Sequence, residues 1–277
     1  MDKSNLIHII YTLLIICFSY KQSVAHEFWI EPEKFEVKNT EKISANIRVG
    51  QMMKGVSYGY YPKNFRRSEI KIDDIITPIL GQPGDKPAIN APPQGDNLVT
   101  LIYTTKDNIV SYNDWSLFEN FLIEKNLMSV KKEHLLKNFP KTKFKEMYSR
   151  YAKALIGSGK SFGEDHETGL EVEIILDKNP YTEDTSNGLE ITLLNKGIPK
   201  PNSQIEIFSR SVDKSIRMET LLTDKFGKVV VKVSPKTDYL INSVIMRKPK
   251  DNKRDLRAVR QPILWESLWA STTFRVP

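Results

Sequence analysis

Leu189-Glu190-Ile191-Thr192-Leu193-Leu194-Asn195, closed by Lys196-Gly197, is the stretch that decides the fold. A short run of aliphatic and β-branched residues that stops at a Lys-Gly turn, with Pro199 just beyond, reads as a strand. The pattern repeats in both directions. Downstream lie Ser203 to Ser209 (SQIEIFS), the tight turn Thr223 to Lys228 (TDKFGK), Val229 to Val233 (VVVKV), Tyr239 to Met246 (YLINSVIM) and Ser271 to Val276. Upstream, Leu170 to Leu176 alternates as a half-buried strand does. Strands spaced about ten residues apart, with turn signals between them, predict an immunoglobulin- or transthyretin-like β-sandwich over residues 168–277.

Further upstream the chain is again β-rich. Lys42 to Val49 (KISANIRV) alternates apolar and polar, and Leu98 to Thr105 (LVTLIYTT) is β-branched and aromatic. Between them runs a loop from Gly81 to Gly95 with four prolines, a segment that is ordered only if it packs on something. Residues 114–156 read as helical. Asp114 can cap a helix carrying Leu117, Phe118, Phe121 and Leu122 at helical spacing. A second helix is predicted after Thr142, with Phe144, Met147, Tyr148, Tyr151 and Leu155 on one face. Lys131 to Phe139 (KKEHLLKNF) reads as a charged, exposed helix, and Gly157 to Gly169 (GSGKSFGEDHETG) as a flexible linker. The expectation is a mainly β protein. Two β-sandwich domains, at residues 26–160 and 168–277, are separated by a short helical insertion.

The first 25 residues read as a cleaved signal peptide. Leu6 to Tyr20 is an apolar stretch of h-region length, and Ser23-Val24-Ala25 places small residues at the −3 and −1 positions. The apolar run is shorter than the roughly 20 residues of a membrane span. Ile16 precedes Cys17, which argues against lipidation. The expected product is a periplasmic protein with no transmembrane anchor, starting at His26. Cys17 is the only cysteine. Chemistry after cleavage therefore uses neither a thiol nor a disulfide.

The 277 residues carry a net charge of +7, with 27% charged residues spread along the chain. The densest basic stretch, Arg247 to Arg260, is broken by Asp251 and Asp255, so nucleic acid is not an expected partner. Enzyme motifs are poor. No Gly-x-Ser-x-Gly elbow occurs, and Gly157-Ser158-Gly159-Lys160-Ser161 lacks the glycine spacing of a phosphate loop. A non-enzymatic role is expected.

The start Ala25-His26-Glu27-Phe28-Trp29-Ile30-Glu31-Pro32, the segment Tyr148 to Leu155 (YSRYAKAL) and the C-terminal Trp265 to Ser271 (WESLWAS) point further. With the turns of the second half, they resemble an uncharacterised periplasmic family often labelled as the periplasmic component of cobalt/nickel transport systems. The turn at Asn195 departs slightly, with Lys196 inserted before Gly197. The resemblance implies two β-rich domains, the second like a transthyretin or carboxypeptidase-regulatory module. It also implies handling of a divalent transition metal (nickel or cobalt, with copper possible) alongside a membrane metal transporter or outer-membrane receptor.

A free α-amine at His26 titrates near pH 7.7–8.0, so a metal can displace its proton and be chelated by amine and imidazole together. Nitrogen-rich sites of this type suit copper(II) and nickel(II). The candidate ligands are His26, Glu27, Glu31, His166 and Glu266. His166 lies in an acidic loop, and Glu266 between two tryptophans, where a buried carboxylate needs a partner. Two other readings remain: a non-catalytic β-sandwich binding or adhesion module for a protein or glycan, and a copper oxygenase built on a histidine brace.

Overall fold

A computed structural model describes residues 26–250 and 261–277. The signal-peptide reading and most of the basic stretch before Arg260 lie outside them. In chain order the first strands are β1 (Glu27–Pro32), β2 (Glu36–Val37), β3 (Ile43–Gln51), β4 (Lys54–Tyr58), β5 (Phe65–Ile72), β6 (Ile75–Pro78), β7 (Ile89–Ala91), β8 (Leu98–Thr105) and β9 (Asn108–Tyr112). Two helices follow, α1 (Trp115–Glu124) and α2 (Met128–Leu136). Then come β10 (Phe144–Ser158), β11 (Val172–Leu176), β12 (Leu189–Asn195), β13 (Ile198–Pro199), β14 (Gln204–Arg210), β15 (Ile216–Leu222), β16 (Lys228–Val231), β17 (Thr237–Arg247) and β18 (Ile263–Val276).

The protein is mainly β, and its centre is one ten-stranded sheet in the order β15-β14-β17-β18-β10-β8-β5-β6, with β2 and β9 also on β10. The join between the two halves of the chain is the parallel pairing of β10 with β18, from Lys145 opposite Ile263 to Ala154 opposite Thr273. One continuous sheet therefore takes strands from both sides of residues 160–168.

Each face of this sheet is covered. On one face, β11, β12, β13 and β16 form a small sheet that buries Val172, Ile174, Leu189, Ile191 and Leu193 against Tyr151, Leu155, Ile241, Leu268 and Phe274. On the other, β1, β3, β4 and β7 form a second small sheet, with Ile30, Ile47 and Ile89 packed on Leu101, Ala152 and Ala154. The helices roof the rest of that face through Phe118, Phe121 and Leu122 against Phe144, Trp265 and Trp269. Strands covered on both sides lose the alternating pattern and read as continuous apolar runs. The wholly buried Leu98–Thr105 is an example.

The strands expected around Lys42, Leu98, Leu170, Leu189, Ser203 and Tyr239 are all present. The Asp114 cap is present too, its side chain accepting from the Ser116 N–H at 2.9 Å. Lys196 and Gly197 both have positive φ and join β12 to β13 in a two-residue turn, the geometry that matches strand twist. The Pro-rich loop does pack: Ala88, Ile89 and Ala91 are buried.

Three expectations fail. Residues 144–158 form a strand and not a second helix. The spacing of Phe144, Met147, Tyr148, Tyr151 and Leu155 satisfied a helical stripe, but tertiary pairing with β18 and β9 overrides local preference. Residues 157–169 are not a loose linker. The Leu98 N–H donates to the Phe162 carbonyl at 2.6 Å, and Asn179 Nδ2 donates to the carbonyls of Ser161 and Gly163. Finally, α2 is not wholly exposed, because His134 is fully buried.

Candidate functional site

β1 carries two of the candidate residues, and its alternation explains their surroundings. Phe28 and Ile30 point into the core beneath β3. Glu27, Trp29 and Glu31 share the opposite face, directed at the ends of β14 and β17 in three tiers.

In the first tier Glu27 is buried and accepts from the Met52 N–H at 3.1 Å. Lys125, just past α1, donates to Glu206 at 2.7 Å, and Asn242 Nδ2 reaches the other oxygen of Glu206 at 2.6 Å. Burial is the main influence on Glu27 and raises its pKa to about 7; Lys125 opposes the shift. Met52 and Met53, the two turn residues of the β3–β4 hairpin, both have positive φ. That conformation is unusual for side chains of this size. In the second tier Trp29 packs with Met53, Phe208 and Leu240, and its buried Nε1 has no hydrogen-bond partner among the described residues.

The third tier is a row of alternating charge. Arg48 Nε lies 2.5 Å from Glu31, Arg210 bridges Glu31 at 2.7 Å and Asp238 at 3.1 Å, and Arg275 reaches Asp238 at 2.6 Å. Each carboxylate serves two guanidinium groups, so the planar forks are held on rigid strands with donors to spare. This row lines a cleft of about 760 Å³, whose other walls come from Glu33, Lys34, Phe35, Glu36, Asn46 and Lys214. The cleft adjoins a recess of about 360 Å³ lined by Lys214, Lys236 and Pro277.

The five candidate metal ligands are not brought together. His26 is exposed, and its backbone carbonyl accepts a long contact from Arg150 at 3.5 Å. Glu27 and Glu31 belong to different tiers. His166 is exposed, with Glu164 3.9 Å away. Glu266 is buried on the other face of the central sheet, bonded to Arg247 Nε at 2.7 Å; the same arginine reaches Glu171 at 2.9 Å. Among the described residues no group of three or more His, Asp or Glu side chains is placed to hold a metal ion. Glu31 and Glu266 already have arginine partners, so the residues present do not fit a closed metal site.

His134, expected on an exposed helix face, is a core residue. The Trp265 Nε1–H donates to its Nδ1 at 2.9 Å, and its Nε2 lies 3.1 Å from the Pro140 carbonyl, an arrangement that needs the Nε2–H tautomer. Burial holds its pKa below the ordinary value. The cleft residues Arg48, Arg210, Asp238 and Arg275 were not foreseen. They come from four strands far apart in the chain, and no local pattern links them.

The fold and the cleft define a layered, mainly β protein with a helical insertion. The chain belongs to the family described as "Domain of unknown function (DUF4198)", which matches residues 23–247. No curated protein matches the chain. Among solved structures, a tetra-tandem repeat in the extending region of a large adhesion protein matches at 11% identity. It covers 91% of this chain and 50% of its own, with a TM-score of 0.20. This chain spans half the length of that one, and so poor a superposition carries no argument. Among the described residues no helix is long and apolar enough to cross a membrane.

Proposed function

We propose that this chain is an exported, non-catalytic binding module that takes a polar, net-anionic partner in the arginine-floored cleft. The observation behind this reading is the row Arg48-Glu31-Arg210-Asp238-Arg275 along the floor of a 760 Å³ cleft. Guanidinium and carboxylate groups held side by side offer fixed donors and acceptors, which suits the hydroxyl and acidic groups of a glycan. Lys34, paired with Glu41, and Lys214 also line the cleft, beside Glu33 and Glu36. The test is an array of neutral, uronate-bearing and sulfated oligosaccharides, read for the native protein and for a Lys34→Glu, Lys214→Glu double variant. Acidic glycans should bind the first and not the second. An array empty for the native protein overturns the reading.

A second reading has one observation in its favour. His26 is exposed where β1 begins, so cleavage after Ala25 would leave amine and imidazole accessible to one ion. Under this reading the protein carries nickel, cobalt or copper in the periplasm towards an uptake system. N-terminal sequencing of the exported chain, followed by calorimetry with each ion, tests it. A first residue other than His26, or no heat with any of the three, removes it.

A further inference from the structure

Arg150 lies in the middle of β10, on the face that packs towards β1. Its guanidinium carbon is 4.9 Å from the ring centre of Tyr148 and 5.5 Å from that of Phe28. Among the described residues its one polar side-chain contact is the 3.5 Å approach of Nη2 to the His26 carbonyl, too long to be a strong hydrogen bond. Its Nε is buried without a partner. The charged or titratable groups that influence it are the phenols of Tyr148 and Tyr58.

This sets Arg150 apart. Every other described arginine that is not exposed has a carboxylate partner: Arg48 with Glu31, Arg67 with Glu69, Arg210 with Glu31 and Asp238, Arg247 with Glu171 and Glu266, Arg275 with Asp238. A guanidinium cannot shed its proton near neutral pH, and an unpaired charge taken out of water is costly. Cation–π contact with two rings offsets part of that cost but satisfies none of the N–H donors. The two phenols that influence this group electrostatically, Tyr58 and Tyr148, have hydroxyls with no hydrogen-bond partner among the described residues. Tyr58 is 47% exposed, and Tyr148 and Arg150 are half-buried.

We propose that Arg150, Tyr58 and Tyr148 form a receptor for a single carboxylate group of an organic ligand, separate from the arginine-floored cleft. The planar fork of Arg150 matches two carboxylate oxygens, and the two phenols supply further donors. One unpaired positive charge matches one negative charge. A phosphate dianion would bring a second charge for which this site has no cation. The rings give an apolar, aromatic surround for the body of the ligand.

The test uses the whole exported chain and three probes: benzoate, the neutral amide benzamide, and inorganic phosphate. Binding is followed by NMR shifts and by calorimetry. Benzoate should bind the native protein, and benzamide and phosphate should bind far more weakly. Arg150→Met should weaken benzoate by about tenfold to a hundredfold, the range expected for lost hydrogen bonds to a charged group. Arg150→Lys, which keeps the charge and loses the fork, should fall between them. Tyr58→Phe should cost a few-fold. Lys34→Glu with Lys214→Glu should leave benzoate binding unchanged, so this site and the cleft fail or stand separately.

Three results overturn the proposal: no benzoate binding to the native protein, phosphate binding as tightly as benzoate, or equal benzoate affinity in Arg150→Met. If Arg150→Met does not fold, the Lys and Phe variants decide. Native benzoate affinity in both of them overturns it as well.

Discussion

A buried cation and a half-buried one stand three residues apart on β10, on opposite faces of the same strand, and they are treated in opposite ways. Lys153 points towards β11 and is fully buried. Its ammonium lies 2.7 Å from Asp165 and 3.2 Å from Glu173. Asp165 also accepts from the Leu176 N–H at 3.0 Å, and Glu173 from the N–H and hydroxyl of Thr168. The charges of this cluster are closed by protein. Arg150 points the other way and, among the described residues, has rings and a distant carbonyl but no acid. The first arrangement holds β10 to the segment that leads into β11. The second leaves binding capacity unused, which a structural role does not require. The comparison teaches that burial of a charge says little about function until its partners are counted.

The largest effect should come from breaking the closed side. Lys153→Met removes one cation and leaves two carboxylates facing each other in the dry interior. Removing one partner of such a buried network costs about 3–5 kcal/mol. A denaturant melt should show that loss at neutral pH. It should shrink as the pH falls and Asp165, whose pKa burial raises, takes up a proton. A loss under about 1 kcal/mol, the size of an exposed ion pair, would show that Lys153 is not the keystone of its face.

The open side has its own buried acid four residues before Arg150. Glu146 accepts from Tyr112 Oη at 2.7 Å and from Ser267 Oγ, with no cation in contact among the described residues. Burial pushes its pKa up from 4.5 to about 7, against the pull of those two hydroxyls. Between pH 4.5 and 7 the folded chain therefore holds a proton that the unfolded chain has lost. Stability from this group falls as pH rises through that window and levels off above it. Glu27, also raised to about 7, acts in the same direction. The shift at Glu146 corresponds to roughly 3 kcal/mol. Glu146→Gln imitates the protonated acid, so it should flatten the decline and leave the variant more stable than the native protein at pH 8. Parallel pH–stability curves for the two proteins would sink this assignment.

Sequence patterns reached most of the strands because the relevant forces were local. Ile43–Gln51 and Leu189–Asn195 alternate where one side is covered less, and Asp114 sits where a cap belongs. They failed at β10 because its helical stripe was equally good on paper. What settled it was β18, more than a hundred residues downstream, lying alongside in parallel. His134 was hidden by its charged neighbours Lys131, Lys132 and Glu133, although Val130 one turn earlier marks the same buried face. The three tiers around β1 were half legible. The alternation of Glu27, Trp29 and Glu31 was there to read, but their partners on β14 and β17 are set by tertiary folding alone. Arg150 stood in plain view within YSRYAKAL, and nothing local says that no acid meets it.

The smallest effect sharpens the contrast between the two faces most directly. Asp114→Ala removes the acceptor of the Ser116 N–H and should cost about 1 kcal/mol, the usual worth of such a cap. The fraying starts at α1, whose Phe118, Phe121 and Leu122 roof the open face beside Glu146, and it has no route to the Lys153 knot except through the sheet. Amide exchange should speed up in α1 and α2 while β11 and β12 keep native protection. Uniform acceleration across both faces would mean that the central sheet couples its two covers into one cooperative unit. The freedom to leave Arg150 unpaired would then draw on the stability of the whole molecule and not of its own face.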